Sequence, residues 1–237
     1  MPLKFITVDA AERFTCLVIG GAGIGKTSLL RTIPEHERVC VISAEAGLLC
    51  VRDLVQEGKV EGIEIYSLAD FKEAYHLLSS DRNMKERYKW VFIDSLSEIS
   101  SRCVEVMKAK YPNKSDSYNL WGDYTDTMTL LIKGFRDLID YHVVFTCLET
   151  IETDDLKRRY VAPAIAGAQL KERLTSYFDE VFYMTSFQSD DGGSYRAFVT
   201  QPWERFPGKD RSGKLSLIEL PDLGSIKAKI FDSDCPF

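Results

Sequence analysis

Apolar residues along this chain gather into short, nearly unbroken runs. Residues 14–19, 38–43, 90–93 and 143–147 are such runs, rich in β-branched and aromatic side chains. They are too short for buried helices and read as strands covered on both faces. Residues 71–78 and 127–141 instead carry apolar positions at helical spacing, and residues 26–31 read as the first turns of a helix that Pro34 stops. Buried strands alternating with helices predict a parallel sheet with helices on both sides. Beyond residue 176 the texture changes. Residues 178–185, 194–200 and 215–220 read as strands joined by polar turns, the clearest being Asp190-Asp191-Gly192-Gly193. These strands are expected to extend the sheet as antiparallel edges. No proline- or serine-rich linker, repeat or low-complexity tract interrupts the pattern, so one domain is expected over residues 1–237.

Composition narrows the class. With 45% hydrophobic and 28% charged residues the chain is ordinary for a soluble globular domain. Its net charge of −6 gives no general basic surface, so any nucleic-acid site has to be a local patch. No apolar run approaches the roughly 20 residues of a membrane span. The opening Met1-Pro2-Leu3-Lys4-Phe5 lacks the long apolar core of a signal peptide, so a cytoplasmic location without a membrane partner is expected. The six cysteines form no Cys-x-x-Cys pair and lie mostly in apolar runs, which reads as buried reduced thiols. His36, His76 and His142 have no ligand spacing and read as structural.

The strongest chemical signal follows the first strand. Gly20-x-x-x-x-Gly25-Lys26-Thr27 is a complete phosphate-loop signature between a predicted strand and a predicted helix. Gly20, Gly21, Ala22, Gly23, Ile24 and Gly25 let successive backbone N–H groups curl around an anion, and Lys26, Thr27 and Ser28 begin the helix. Lys26 is expected to reach the β- and γ-phosphates of ATP, and the Thr27 hydroxyl to ligate Mg²⁺. Asp94, closing the apolar run 90–93, is expected to be the second metal-side group. Ser95 follows it, so the acid pair of many motor ATPases is absent. The base that orients water is then expected to be Glu45, at the end of the second strand, with Glu98 as its competitor.

At these residues the chain resembles the RecA-type recombinase core. Residues 40–48 (Cys-Val-Ile-Ser-Ala-Glu-Ala-Gly-Leu) resemble the strand ending in the family's catalytic glutamate, and Phe92-Ile93-Asp94-Ser95 resembles its metal-binding segment. Leu120-Trp121-Gly122-Asp123 resembles the stretch after its first DNA loop. Gly208-Lys209-Asp210-Arg211 resembles a motif whose basic residues act on a neighbour's ATP. Within that class the chain is similar to the short phage-encoded proteins of the single-strand annealing (Sak) group. The resemblance implies an α/β, RecA-type P-loop NTPase core: a mostly parallel twisted sheet flanked by helices, with antiparallel edge strands toward the C-terminus. It also implies ATP with Mg²⁺, single-stranded DNA as partner, and a homo-oligomer (filament or ring) with Lys209 and Arg211 completing the adjacent subunit's site. It leaves room for a single-strand-binding protein as a further partner, and a phage-encoded chain would work in the bacterial host cytosol. Where the family has a glutamine that senses the γ-phosphate, this chain has Cys147-Leu148-Glu149, so either Thr146 or Glu149 is the switch residue. The family's separate oligomerisation helix has no counterpart, so assembly is expected to use another contact, such as residues 1–13.

Two segments are candidates for DNA contact. Residues 108–118 combine Lys108, Lys110 and Lys114 with Tyr111 and Tyr118; residues 152–167 contain Lys157-Arg158-Arg159-Tyr160. Cations follow phosphates and aromatic rings stack on bases. Two other readings stay open: a small-molecule kinase with Arg158 and Arg159 in a lid, and a non-catalytic nucleotide-gated binding module.

Overall fold

The computed structural model describes residues 12–45 and 47–231. In chain order the strands and helices are β1 (Thr15–Gly20), β2 (Val39–Ser43), α1 (Arg52–Gln56), β3 (Val60–Glu64), α2 (Leu68–Ser80), α3 (Arg82–Arg87), β4 (Trp90–Asp94) and α4 (Leu96–Lys110). Then come α5 (Ser117–Arg136), β5 (His142–Thr153), β6 (Arg159–Pro163), α6 (Ala168–Leu174), β7 (Glu180–Gln188), β8 (Ser194–Val199), β9 (Lys209–Asp210), β10 (Ile218–Glu219) and α7 (Leu223–Phe231). The tail 1–13 proposed for assembly lies, apart from Glu12 and Arg13, outside the described residues.

Among the described residues the strands form one ten-stranded sheet in the order β10-β8-β7-β1-β5-β4-β2-β3, with β6 paired to β5 and β9 to β7. From β7 to β3 every neighbour along that order is parallel; β8, β10, β6 and β9 add antiparallel pairs. The predicted α/β class, with its antiparallel C-terminal edge, is therefore the fold. β1, β2 and β4 are buried at every residue, as the uninterrupted apolar runs require.

Two apolar layers hold the sheet. One face packs against α2, α4, α5 and α6 through Phe71, Ile99, Tyr124, Phe135 and Leu170. The other carries Phe14, Trp90, Phe92, Phe182 and Phe198 beneath Leu29, Leu30 and α7. Phe182 stacks on Phe198 at 4.9 Å between ring centres. Gly224 of α7 sits where a Cβ would lie 2.7 Å from the Thr32 carbonyl oxygen, so only glycine lets α7 approach the turn after the phosphate loop so closely.

Several elements differ from the sequence reading. The helix expected over 127–141 starts ten residues earlier and ends at Arg136; residues 142–153 are a strand. The helical run after the phosphate loop is a six-residue 3₁₀ turn, Thr27–Thr32, which ends where Ile33 turns extended ahead of Pro34. The strand expected over 215–220 shrinks to Ile218–Glu219. His142 is structural, as expected: its Nδ1 accepts the Phe14 backbone N–H at 3.1 Å, and burial lowers its pKa to about 4.

The edge of the sheet where β1 begins contains a buried acid. Glu180 is 3% exposed, lies opposite Asp210, and accepts the Arg211 N–H at 3.3 Å. Asp210 is already engaged by the backbone N–H groups of Gly213 at 3.0 Å and Leu215 at 2.9 Å. Burial, reinforced by the Asp210 charge, pushes Glu180 up to about 8. The folded chain thus keeps a proton that the unfolded chain releases near 4.5, so stability falls as pH rises from 4.5 through 8. The variant Glu180→Gln cannot lose that proton. Urea unfolding across this range is expected to show the parent losing stability relative to Glu180→Gln; parallel pH curves would refute the assignment.

Candidate nucleotide site

The parallel strands end together. Gly20 of β1 is level with Leu148 of β5, Ile93 of β4 with Phe145, and Asp94 with Ser43 of β2. Loops leaving these carboxyl ends share one cleft, where α/β sheets bind their ligands. The Gly20–Ser28 loop leaves β1 there. Gly23 and Gly25 have φ of 73° and 106°, a region that disfavours side chains, so the glycines of the motif are needed by the backbone itself.

Lys26 turns back over the loop. Its Nζ donates to the carbonyls of Gly20 and Gly21, both at 2.8 Å, and the residue is 8% exposed. Burial lowers the Lys26 pKa, and the carboxylates of Asp94 and Glu45 oppose that shift. The ammonium is thus drawn out of water, with acidic groups close enough to favour its charge.

Asp94 collects two hydroxyls. Thr27 Oγ1 donates to Oδ2 at 2.6 Å, and Thr146 Oγ1 donates to Oδ1 from the middle of β5. A hydroxyl and a carboxylate beside a phosphate loop are hard oxygen donors, the set that suits Mg²⁺ with most of its remaining ligands from phosphate and water. Among the described residues no group of three His, Cys, Asp or Glu side chains could hold a metal on its own.

The two candidate bases differ in their surroundings. Glu45 follows β2, where the Ala44 N–H donates to the Asp94 carbonyl at 2.7 Å, and its carboxylate accepts the Ser95 hydroxyl. Glu98 lies in the first turn of α4 and pairs with Arg102 at 3.2 Å. Glu45 is therefore tied to the residue after Asp94, while Glu98 is tied to an arginine.

Glu149 sits across the loop. A Cβ on Gly21 would lie 3.5 Å from Glu149 Oε1, while Oε2 is buried without a hydrogen-bond partner among the described residues. Thr146 is committed to Asp94, so of the two switch candidates Glu149 is the one facing the loop with a vacant oxygen.

Lys209 and Arg211 are elsewhere. β9 pairs with the start of β7, level with the start of β1 and at the opposite edge of the sheet from the loop. Lys209 Nζ donates to the Thr175 and Phe178 carbonyls, and Arg211 pairs with Asp179. Neither reaches the phosphate loop of its own chain.

The first DNA segment joins two helices instead of following a strand: Lys108 and Lys110 end α4, and Lys114 lies in a short 3₁₀ turn before α5. Lys110 is paired with Asp123 at 2.5 Å, and Tyr111 donates to the same carboxylate at 2.6 Å. The second segment is the β5–β6 hairpin. Lys157 occupies its turn at φ 60°, Arg158 pairs with Asp154 at 2.8 Å, and Tyr160 donates to Glu152 at 3.0 Å. All four residues 157–160 are exposed, and among the described residues no ion pair engages Lys157 or Arg159.

Sequence reading missed Arg196 of β8, whose guanidinium lies against Gly25. No motif marks it; only the register of the β7–β8 pair brings it to the loop.

The sheet order and the loop define a P-loop NTPase. The chain belongs to the AAA domain family, whose match covers residues 12–212, and it is a nucleotide-binding ATPase of that class. No curated protein matches it. Among the described residues no helix is long and apolar enough to cross a membrane.

Replacing Lys26 by alanine removes the one buried ammonium of the loop. Lys26→Ala is expected to abolish hydrolysis and weaken ATP binding, measured by phosphate release and by titration calorimetry. Undiminished turnover would remove this loop from the reaction.

Proposed function

We propose that the chain is an ATP-dependent, single-stranded-DNA-binding recombinase core of the Sak type, promoting annealing or strand pairing. The observation that carries this reading is the course of β5. One continuous strand holds Asp94 through Thr146, faces the phosphate loop with Glu149, and continues into the hairpin that exposes Lys157, Arg158, Arg159 and Tyr160. A change at the nucleotide therefore bears on the same strand that presents the basic hairpin. Such a device suits a protein whose grip on a polyanion depends on ATP. The motif resemblance supports DNA as that polyanion.

In the proposed reaction the loop N–H groups and Lys26 hold the phosphates of ATP. Thr27 and Asp94 would hold Mg²⁺, which when bound would neutralise charge on the phosphates. Glu45 takes the proton of a water as its oxygen bonds to the γ-phosphorus; the bond to the β-phosphate oxygen breaks and ADP departs. Glu149 accepts a hydrogen bond from a neighbour only in one nucleotide state and acts as the switch. Lys209 and Arg211 of an adjacent copy stabilise transferred charge. Lys108, Lys110 and Lys114 form a second, weaker DNA contact, Lys110 being already neutralised by Asp123.

Glu45→Gln is expected to retain ATP binding and slow hydrolysis by roughly 10²-fold or more, the scale of losing a general base. If Glu98→Gln has that effect instead, the base is misassigned.

Neutralising Lys157, Arg158 and Arg159 together is expected to weaken single-stranded DNA binding in gel shifts while leaving ATP binding without DNA intact. If all three meet phosphates, the slope of log affinity against log salt falls by about 0.7 per contact, roughly two units. DNA binding by the parent with the same slope in the variant would place the contact elsewhere, and no DNA binding by the parent would overturn the recombinase reading.

A further inference from the structure

The β7–β8 hairpin runs past the end of the phosphate-loop strand. Gly20, the last residue of β1, is level with Met184, but β7 continues to Gln188 and pairs with β8 as far as Ser194. Side chains alternate along a strand, so residues two apart share a face. Phe182, Met184 and Phe198 all lie in the layer beneath the loop, and the Phe182–Phe198 stack fixes that orientation. Arg196, two residues before Phe198, projects from the same face, one step beyond the end of β1.

Its side chain reaches the loop. A Cβ on Gly25 would lie 2.6 Å from Arg196 Nη1 and 3.2 Å from Cζ. Gly25 thus has two reasons to lack a side chain: its φ of 106°, and the guanidinium that occupies the adjacent space. Arg196 is exposed, and among the described residues no hydrogen bond or ion pair engages its guanidinium. Arg31, Arg102, Arg158 and Arg211, by contrast, each have a carboxylate partner. A planar fork of donors beside a phosphate loop, with no protein anion against it among the described residues, matches bidentate recognition of phosphate.

The position selects which phosphates. β7 and β8 lie on one side of β1; β5, β4 and β2, with Asp94 and Glu45, lie on the other. The hydrolysed end of the nucleotide belongs beside Asp94 and Glu45, so Arg196 faces the part that stays behind as ADP. We propose that Arg196 is a phosphate ligand supplied in cis by the β7–β8 hairpin, binding the α- and β-phosphates of the nucleotide. This rests on the phosphate loop being the nucleotide site and is independent of the DNA reading.

The test measures the affinities of the parent, Arg196→Ala and Arg196→Lys for ATP, ADP and inorganic tripolyphosphate. Losing a charge-assisted contact is expected to weaken all three by about tenfold or more in Arg196→Ala. Arg196→Lys is expected to recover part of the loss, because the charge remains while the fork is gone. Unchanged affinities overturn the proposal. A loss for ATP and ADP with tripolyphosphate unaffected assigns Arg196 to the base, and a loss for ATP alone assigns it to the γ-phosphate; both overturn it too. A parent that binds none of the three overturns the phosphate-loop reading itself, a result distinct from every outcome specific to Arg196. Circular dichroism checks that each variant is folded, and Arg196→Gln replaces the alanine variant if that one is not.

Discussion

The carboxylate of Asp94 is the constraint around which the site is built. It is 6% exposed, and a buried anion is costly unless donors and cations surround it. Its two oxygens take hydroxyls from two different elements, Thr27 of the loop and Thr146 of β5, and the Lys26 ammonium lies near enough to feel its charge. This arrangement demands the observed sheet order. β5 stands between β1 and β4, so Thr146 reaches Asp94 from the adjacent strand while Thr27 of the loop leaving β1 reaches it across the end of β5. The apolar layers below hold the strand ends level, so the three groups meet without adjustment.

The same geometry divides the molecule into two edges with different chemistry. The carboxyl ends of the parallel strands hold the loop, Asp94, Glu45 and Glu149. The opposite edge holds Lys209, Arg211, Glu180 and Asp210, tied to one another and to the chain around them. Cations at that edge do not meet their own nucleotide. Any action of theirs on ATP needs a second copy presenting its lower edge to the first copy's upper edge. Such a contact is head-to-tail, and repeating it generates a ring or an open filament. The proposed trans role and the proposed assembly are therefore one claim in physical terms.

The central strands and the loop were legible in the sequence because each is dictated locally. Uninterrupted apolar runs leave no solvent face, and glycines at fixed spacing leave no room for side chains. β3 was not legible: Val60-Glu61-Gly62-Ile63-Glu64 is an edge strand with half its residues toward water, and two glutamates and a glycine weaken its signal. α5 was misplaced because its first turns, through Tyr118 and Trp121, expose aromatic residues that break the helical pattern. The basic segment 157–160 read as a loop because its strand is exposed at Arg159 and Tyr160 and buried only from Val161 to Pro163, so no alternation marks it. The positions of Asp94 and Glu45 by strand ends, and of Lys26 behind the glycine loop, were legible because apolar runs and glycine spacing mark them. Arg196 was not, because its significance depends on a pairing register that nothing near it in the sequence announces.

That missed residue changes how the loop is held. A phosphate loop with one lysine concentrates its charge at the end of the nucleotide where the bond breaks. An arginine from the opposite side would add charge where the bond does not break, and that charge would bind ATP and ADP alike. Interactions made equally in ground and transition states raise occupancy without lowering the barrier. Arg196 would then govern how long ADP stays, while Glu45, as the proposed base, would govern how fast it forms. In a protein whose nucleotide state sets its grip on a partner, residence of the product matters as much as its production. The antiparallel strand β8, which makes no parallel pair, would thereby acquire a role at the site besides its share of the core: it would bring a cation to the side of the loop away from Asp94.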